Sequence, residues 1–150
     1  MIFLGIDPGQ SGGIAMITPS GQNATGFSNS TEKDIYDLIY TSCNYDKNKF
    51  AMIENVHSFP GQGVASSFKF GRNYGLLLGS LYSSGCPFET VSPQKWQKAL
   101  GCLTHGDKNI SKSMAQRLFQ DIKVTHAIAD ALLIAEYCRR VKGSESGKMA

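Results

Sequence analysis

The chain of 150 residues has no apolar stretch approaching the roughly 20 residues a helix needs to cross a bilayer, so it does not read as a membrane protein. Its start has no basic segment ahead of an apolar signal core, and a cytoplasmic location is expected. Cysteine is sparse and badly spaced for metal or redox work: Cys43, Cys86, Cys102 and Cys138 form no zinc-knuckle or redox pair. They read as reduced, structural thiols, small hydrophobes in effect. No internal repeat and no interdomain linker breaks the chain. With 41% hydrophobic residues it is long enough for one domain with its own core and too short for two. Strong charge of one sign is missing as well. A net charge of +3 is compatible with nucleic acid but does not establish it. The placement of cations says more than their number. Lys95, Lys98, Lys108, Lys112 and Arg117 share one later segment, and Arg139, Arg140, Lys142 and Lys148 crowd the end, a candidate phosphate-contacting stripe.

The opening reads as an antiparallel meander: a strand over residues 2–6, a Gly-rich turn, a strand near Gly13 to Thr18, a turn at Pro19-Ser20-Gly21 and a weak third strand around Ala24 to Ser28. Ser30 or Thr31 starts a helix through Ile35, Leu38 and Ile39, which leads to another apolar strand, Phe50 to Ile53. Strand, helix and strand imply a parallel crossover beside the meander. A long helix from about Val64 follows, with Phe70, Tyr74, Leu77, Leu78 and Leu81 on one side and Gly71, Gly75 and Gly79 on another; Gly85-Cys86-Pro87 stops it. The glycine stripe fits a close approach, either inside the monomer or to a second copy. After a short strand at Phe88 to Val91, Ser92 caps and Pro93 opens a helix that places Trp96 and Leu100 on one face. Trp96 reads as core or as a base-stacking platform. Asp107 caps the next helix, whose apolar face is expected at Ile110, Met114, Leu118 and Phe119. The last helix starts near His126, and residues 143–150 are expected to be a flexible polar tail after a domain spanning 1–142.

Three carboxylates stand out against this layout. Asp7 closes the first strand, Glu54 closes the strand from Phe50, and Asp130 lies in the first turns of the last helix. Each has an unremarkable reading: Asp7 organising a Pro-Gly turn, Glu54 pairing with a lysine, Asp130 complementing a helix N-terminus. Together they form a candidate divalent-metal site. Carboxylates beside apolar residues are costly to desolvate unless paired or metal-bound, and Mg²⁺ prefers such oxygen ligands.

The order of elements is the ribonuclease H-like layout, an α/β mixed five-stranded sheet with helices on both faces. Gly5-Ile6-Asp7-Pro8-Gly9 with Ser11-Gly12, Ile53-Glu54 and Ala129-Asp130-Ala131-Leu132-Leu133 resemble Holliday-junction resolvases of the RuvC type. The stretches Pro60 to Gly75 and Ser92 to Lys98 look like the phage-borne branch and, more distantly, the plant organellar resolvases. The resemblance implies a Mg²⁺-dependent endonuclease, with Mn²⁺ able to substitute, acting on branched DNA such as a four-way junction, in the cytoplasm of a bacterium or a phage-infected host. Asp7, Glu54 and Asp130 become its implied metal ligands. Lys108, at the start of the penultimate helix, is implied beside the scissile phosphate; its plain reading is an exposed helix-start lysine.

One departure stands in the last helix. Many members carry another acid three to five residues before the position of Asp130, where this chain has Thr125, His126 and Ala127. His126 shares a helical face with Asp130 and is a candidate metal ligand and catalytic group, or a helix-start histidine without such a duty. Lys69, Arg72, Asn73 and Lys112 are candidate DNA contacts; Phe68 and Phe70 are either that or core. A two-fold junction suits a homodimer, and the helix over residues 64–84 is its candidate interface. The missing acid keeps open a second reading, a branched-DNA-binding module that does not cut.

Overall fold

Ile2, Leu4 and Ile6 on one side of β1 (Ile2–Asp7) and Phe3 on the other are buried, so this strand lies inside the sheet with both faces covered. The computed structural model describes residues 1–148. β1 pairs antiparallel with β2 (Gly13–Thr18), which pairs antiparallel with β3 (Gly21–Gly26). The third strand thus begins earlier than the expected Ala24 and ends before Ser28. The cause is the tight turn: Thr18 already faces Gly21 in register, and its hydroxyl donates to Gly21 O at 3.0 Å.

α1 (Glu32–Cys43) starts at Thr31, whose hydroxyl accepts from the Asp34 amide while Asp34 accepts from the Thr31 amide, a reciprocal cap. Its crossover delivers β4 (Lys49–Glu54) parallel to β1. α2 (Val64–Ser83) then returns the chain to β5 (Phe88–Val91), parallel to β4. The strand order is β3-β2-β1-β4-β5. This is the five-stranded mixed α/β sheet that the sequence leads one to expect.

Two cores flank the sheet. Ile2, Leu4, Ile6, Ala51 and Ile53 point to α1 and α2, where Ile35, Ile39, Leu77 and Leu81 are buried. Phe3, Met52 and Val91 point the other way, toward α3 (Pro93–Leu100), α4 (Lys108–Leu118) and α5 (His126–Lys148). All four cysteines are buried free thiols.

α4 keeps its expected face at Met114, which packs against the core, and at Phe119, and departs from it elsewhere. Ser111 and Ala115 are the residues it buries, with Phe119 just beyond its end, while Ile110 and Leu118 are exposed. The helix is rolled so that small side chains meet α5, which brings the two backbones close. α5 also continues to Lys148, through residues 143–148 of the expected tail. Lys142 bridges to Glu89 at 2.7 Å and Glu145 at 3.2 Å, and Ser144 and Ser146 return their hydroxyls to backbone carbonyls. Residues 149 and 150 of that tail lie outside the described residues. No helix among the described residues is long and apolar enough to cross a membrane.

Candidate active site

Strand alternation and two glycines assemble the site. Asp7 lies on the same side of β1 as Phe3, and Glu54 on the same side of β4 as Met52, both toward α5. α5 can lie directly on the sheet because Gly5 carries no side chain: a Cβ there would overlap the backbone of Ala131 and Ala135. At the other end of the contact a Cβ on Gly13, the partner of Asp7, would stand 2.6 Å from Thr25 O and 3.0 Å from Ala127 O. The helix therefore runs against β1 in the opposite direction, from Ala127 near the Asp7 end toward Ala135. Asp130 falls between those contacts, beside the carboxyl ends of β1 and β4.

The three carboxylates influence one another. Burial raises the Asp7 carboxyl well above its ordinary range, and Glu54 and Asp130 raise it further against the opposing charge of Lys108. Glu54 is raised by burial, lowered in part by Trp96, and raised again by Asp130. Asp130 is raised by burial and lowered by Ser111, Lys108 and His126. Its Oδ1 is buried without a hydrogen-bond partner. Such an orphaned oxygen is uncommon in a native fold, and a bound ion or water would satisfy it. The donor set, three carboxylates facing one strand edge, suits a hard divalent cation. Among the described residues, though, no three His, Cys, Asp or Glu side chains stand close enough to share one ion as placed. The three carboxylates supply the oxygen donors a hard divalent cation takes without forming a closed ligand set.

Lys108 is exposed at the first position of α4, after the Asp107 cap, and its charge acts on both Asp7 and Asp130. His126 is exposed at the first position of α5 and acts on Asp130 alone. Lys112, half-buried, lies one turn further along α4.

The candidate DNA contacts on α2 divide into two groups. Phe68 is 71% exposed, and Lys69 next to it is exposed as well. Arg72 instead pairs with Glu32 at 2.7 Å, and Asn73 Oδ1 accepts a hydrogen bond from the Gly9 amide at 3.1 Å. Phe70 is half-buried, its ring 3.7 Å from where a Gly9 Cβ would be. Lys69, Phe70, Arg72 and Asn73 also line an open cavity of about 620 Å³ between α1 and α2.

Sequence reasoning missed three parts of this arrangement. Gly5 admits α5, and Ser111, buried on α4, lowers the Asp130 carboxyl. Trp96 is the third: fully buried as core, it donates its indole N–H to Glu54 Oε2 at 2.8 Å. The signal for Trp96 lay in the pairing of β4 with β5, which sets Glu54 opposite Val91 just before α3 begins.

The architecture is ribonuclease H-like. No protein-family model matches the sequence, and no curated protein does. Solved structures do match. One is that of RuvC from Thermus thermophilus, with a TM-score of 0.65 at 19% identity over 95% of this chain and 97% of that one. Another is T. thermophilus RuvC in complex with a Holliday junction substrate, with a TM-score of 0.68 at 18% identity over 96% and 97%. The TM-scores and coverage establish a shared fold, and at identities this low the likeness extends to the fold alone.

Proposed function

We propose that the chain is a metal-dependent endonuclease that resolves four-way DNA junctions by paired phosphodiester hydrolysis. One observation carries the reading: Asp130, with its partnerless buried Oδ1, joins Asp7 and Glu54 at adjacent strand ends. The fold supports it, since a protein of the same architecture has been solved on a Holliday junction.

Asp7, Glu54 and Asp130 would hold Mg²⁺ or Mn²⁺, with His126 at the start of α5 as candidate fourth ligand. Bound there, the ion supplies Lewis-acid polarisation of the phosphate and a more acidic water. Lys108 sets a positive charge beside the same carboxylates, where negative charge accumulates on the phosphate oxygens during attack. Water entering in line with the P–O3′ bond breaks it and leaves a 5′-phosphate and a 3′-hydroxyl. Phe68 and Lys69 extend from α2 toward the branched DNA. A second copy would dock along residues 64–84, where a Cβ on Gly71, Gly75 or Gly79 would meet nothing within 4 Å in the monomer. That two-fold partner supplies the second cut.

The test is a labelled four-way junction incubated with Mg²⁺ or Mn²⁺. Paired nicks are expected from the natural chain, and Asp7→Asn should keep junction binding while losing the nicks. Binding without nicks in either metal would instead identify a branched-DNA-binding module that does not cut.

A further inference from the structure

Trp96 is the one tryptophan of the chain and is fully buried. Packing alone does not call for an indole there, since Phe or Leu would fill a core position without bringing in a polar atom. An indole offers a single donor and no acceptor, so burying it requires a partner for that N–H. Here the partner is the Glu54 carboxylate, at 2.8 Å.

The donor sits on a rigid mount. α3 is eight residues long and fixed at both ends: the Ser92 hydroxyl accepts from the Lys95 amide, Pro93 occupies the first position, and Gly101 closes the helix at φ 70°. The Asn55 amide bonds Val91 O at 2.7 Å, tying the end of β4 to the strand that leads into α3. Glu54 is also the carboxylate in most need of a guide. It has one more side-chain torsion than Asp7 or Asp130, and its terminal torsion is broad. A bond at Oε2 restricts that freedom and leaves Oε1 available to a ligand.

We infer that Trp96 is a positioning residue, whose indole N–H holds Oε2 of Glu54 so that Oε1 is presented to the cation shared with Asp7 and Asp130. The inference rests on the nuclease reading above. Outer partners that orient a metal-binding carboxylate typically matter about tenfold to hundredfold in metal affinity or activity.

Because the chain has one tryptophan, it can be replaced throughout by benzothienylalanine, which keeps the bicyclic shape and has sulfur in place of the N–H. The expected result is a kcat about tenfold or more lower, or a half-saturating Mg²⁺ concentration raised by as much. KM for the junction should stay near that of the natural protein and the melting temperature should fall by no more than the loss of one hydrogen bond explains, whereas a purely structural role would leave the Mg²⁺ dependence unmoved. Equal kcat and equal Mg²⁺ dependence in the two proteins would overturn the inference while leaving the nuclease reading standing. Natural protein that nicks in neither metal would sink the nuclease reading, and the inference with it. If neither the analogue protein nor Trp96→Phe folds, the natural protein carries the test through its own emission. MgCl₂ added without DNA should shift the Trp96 fluorescence saturably, and Glu54→Gln should abolish the shift. Unchanged emission at Mg²⁺ concentrations that support nicking would refute the assignment.

Discussion

Asn73, in the middle of α2, accepts a hydrogen bond from the amide of Gly9, two residues beyond Asp7 in the turn that closes β1. The helix proposed to meet DNA and a second copy is thereby tied to the turn that carries a candidate metal ligand. Asn73→Ala removes the acceptor from a partly buried amide, a loss on the order of 1 kcal/mol. If the residue serves the turn, the nicking rate should fall several-fold while junction affinity, measured in Ca²⁺ to prevent cutting, changes little. A fall in affinity with the single-turnover rate intact would place Asn73 on the DNA instead.

Gly5 makes a sharper case. α5 lies so close to β1 that an added methyl has no room between the Ala131 and Ala135 backbones, and backbone cannot swing aside as a flexible side chain can. Gly5→Ala should cost about 3 kcal/mol, the upper end for overpacking, and should displace Asp130 from Asp7 as α5 lifts. Denaturant unfolding checks the first effect. Loss of nicking in whatever fraction remains folded checks the second. Gly143→Ala, inside α5 and beside the movable ring of Phe3 at 3.6 Å, should instead stabilise by about 0.5–1 kcal/mol and leave nicking unchanged.

These two residues show what was legible in the sequence. Asp7 and Glu54 could be read as strand ends because each closes a short apolar run, and local periodicity is the strongest signal a sequence carries. The caps at Asp107 and Ser92 were legible for the same reason: cap and helix lie within a few residues of each other. The apolar face of α4 was not, because Ser111 and Ala115 face inward to suit the distance to α5, a tertiary demand that outranks the pattern of Ile110 and Leu118. Trp96 and Glu54 lie 42 positions apart and meet only through the register of β4 against β5. Asn73 read as a candidate DNA contact, and its bond to a turn 64 positions away left no local trace.

The candidate metal site should weaken the fold that carries it. Burial, then Glu54 and Asp130, raise the Asp7 carboxyl above its ordinary 3.8, so the folded protein binds that proton more tightly than the unfolded chain. The sign follows: stability is fullest below the ordinary value and declines as pH rises toward the folded one, so at neutral pH the raised Asp7 carboxyl is a liability. Asp7→Asn should therefore melt a few degrees higher than the natural protein in EDTA at pH 7, at about 2–4 °C per kcal/mol for a chain of this size. Added Mg²⁺ should raise the melting temperature of the natural protein and not that of the variant, since only the former binds it in the folded state. A variant that melts lower in EDTA would show that Asp7 is held by favourable contacts instead.

Glu136 gives the opposite sign on the same helix. Burial alone would raise its carboxyl, but Arg139 at 2.8 and 2.7 Å and Arg140 at 2.7 Å outweigh it, and the group is held below its ordinary 4.5. An acid lowered in this way adds stability above its unfolded value and loses that contribution as pH falls through the folded one. Both arginines are about half exposed, so water screens the pairs and keeps them hydrated when the carboxylate is removed. Glu136→Gln should then cost only about 1 kcal/mol at pH 7. The difference from the natural protein should shrink as pH falls through the lowered value of Glu136, where the carboxylate itself becomes neutral. Urea unfolding of both proteins at neutral and acid pH measures it directly, and a difference independent of pH would mean that Glu136 contributes by packing and not by charge.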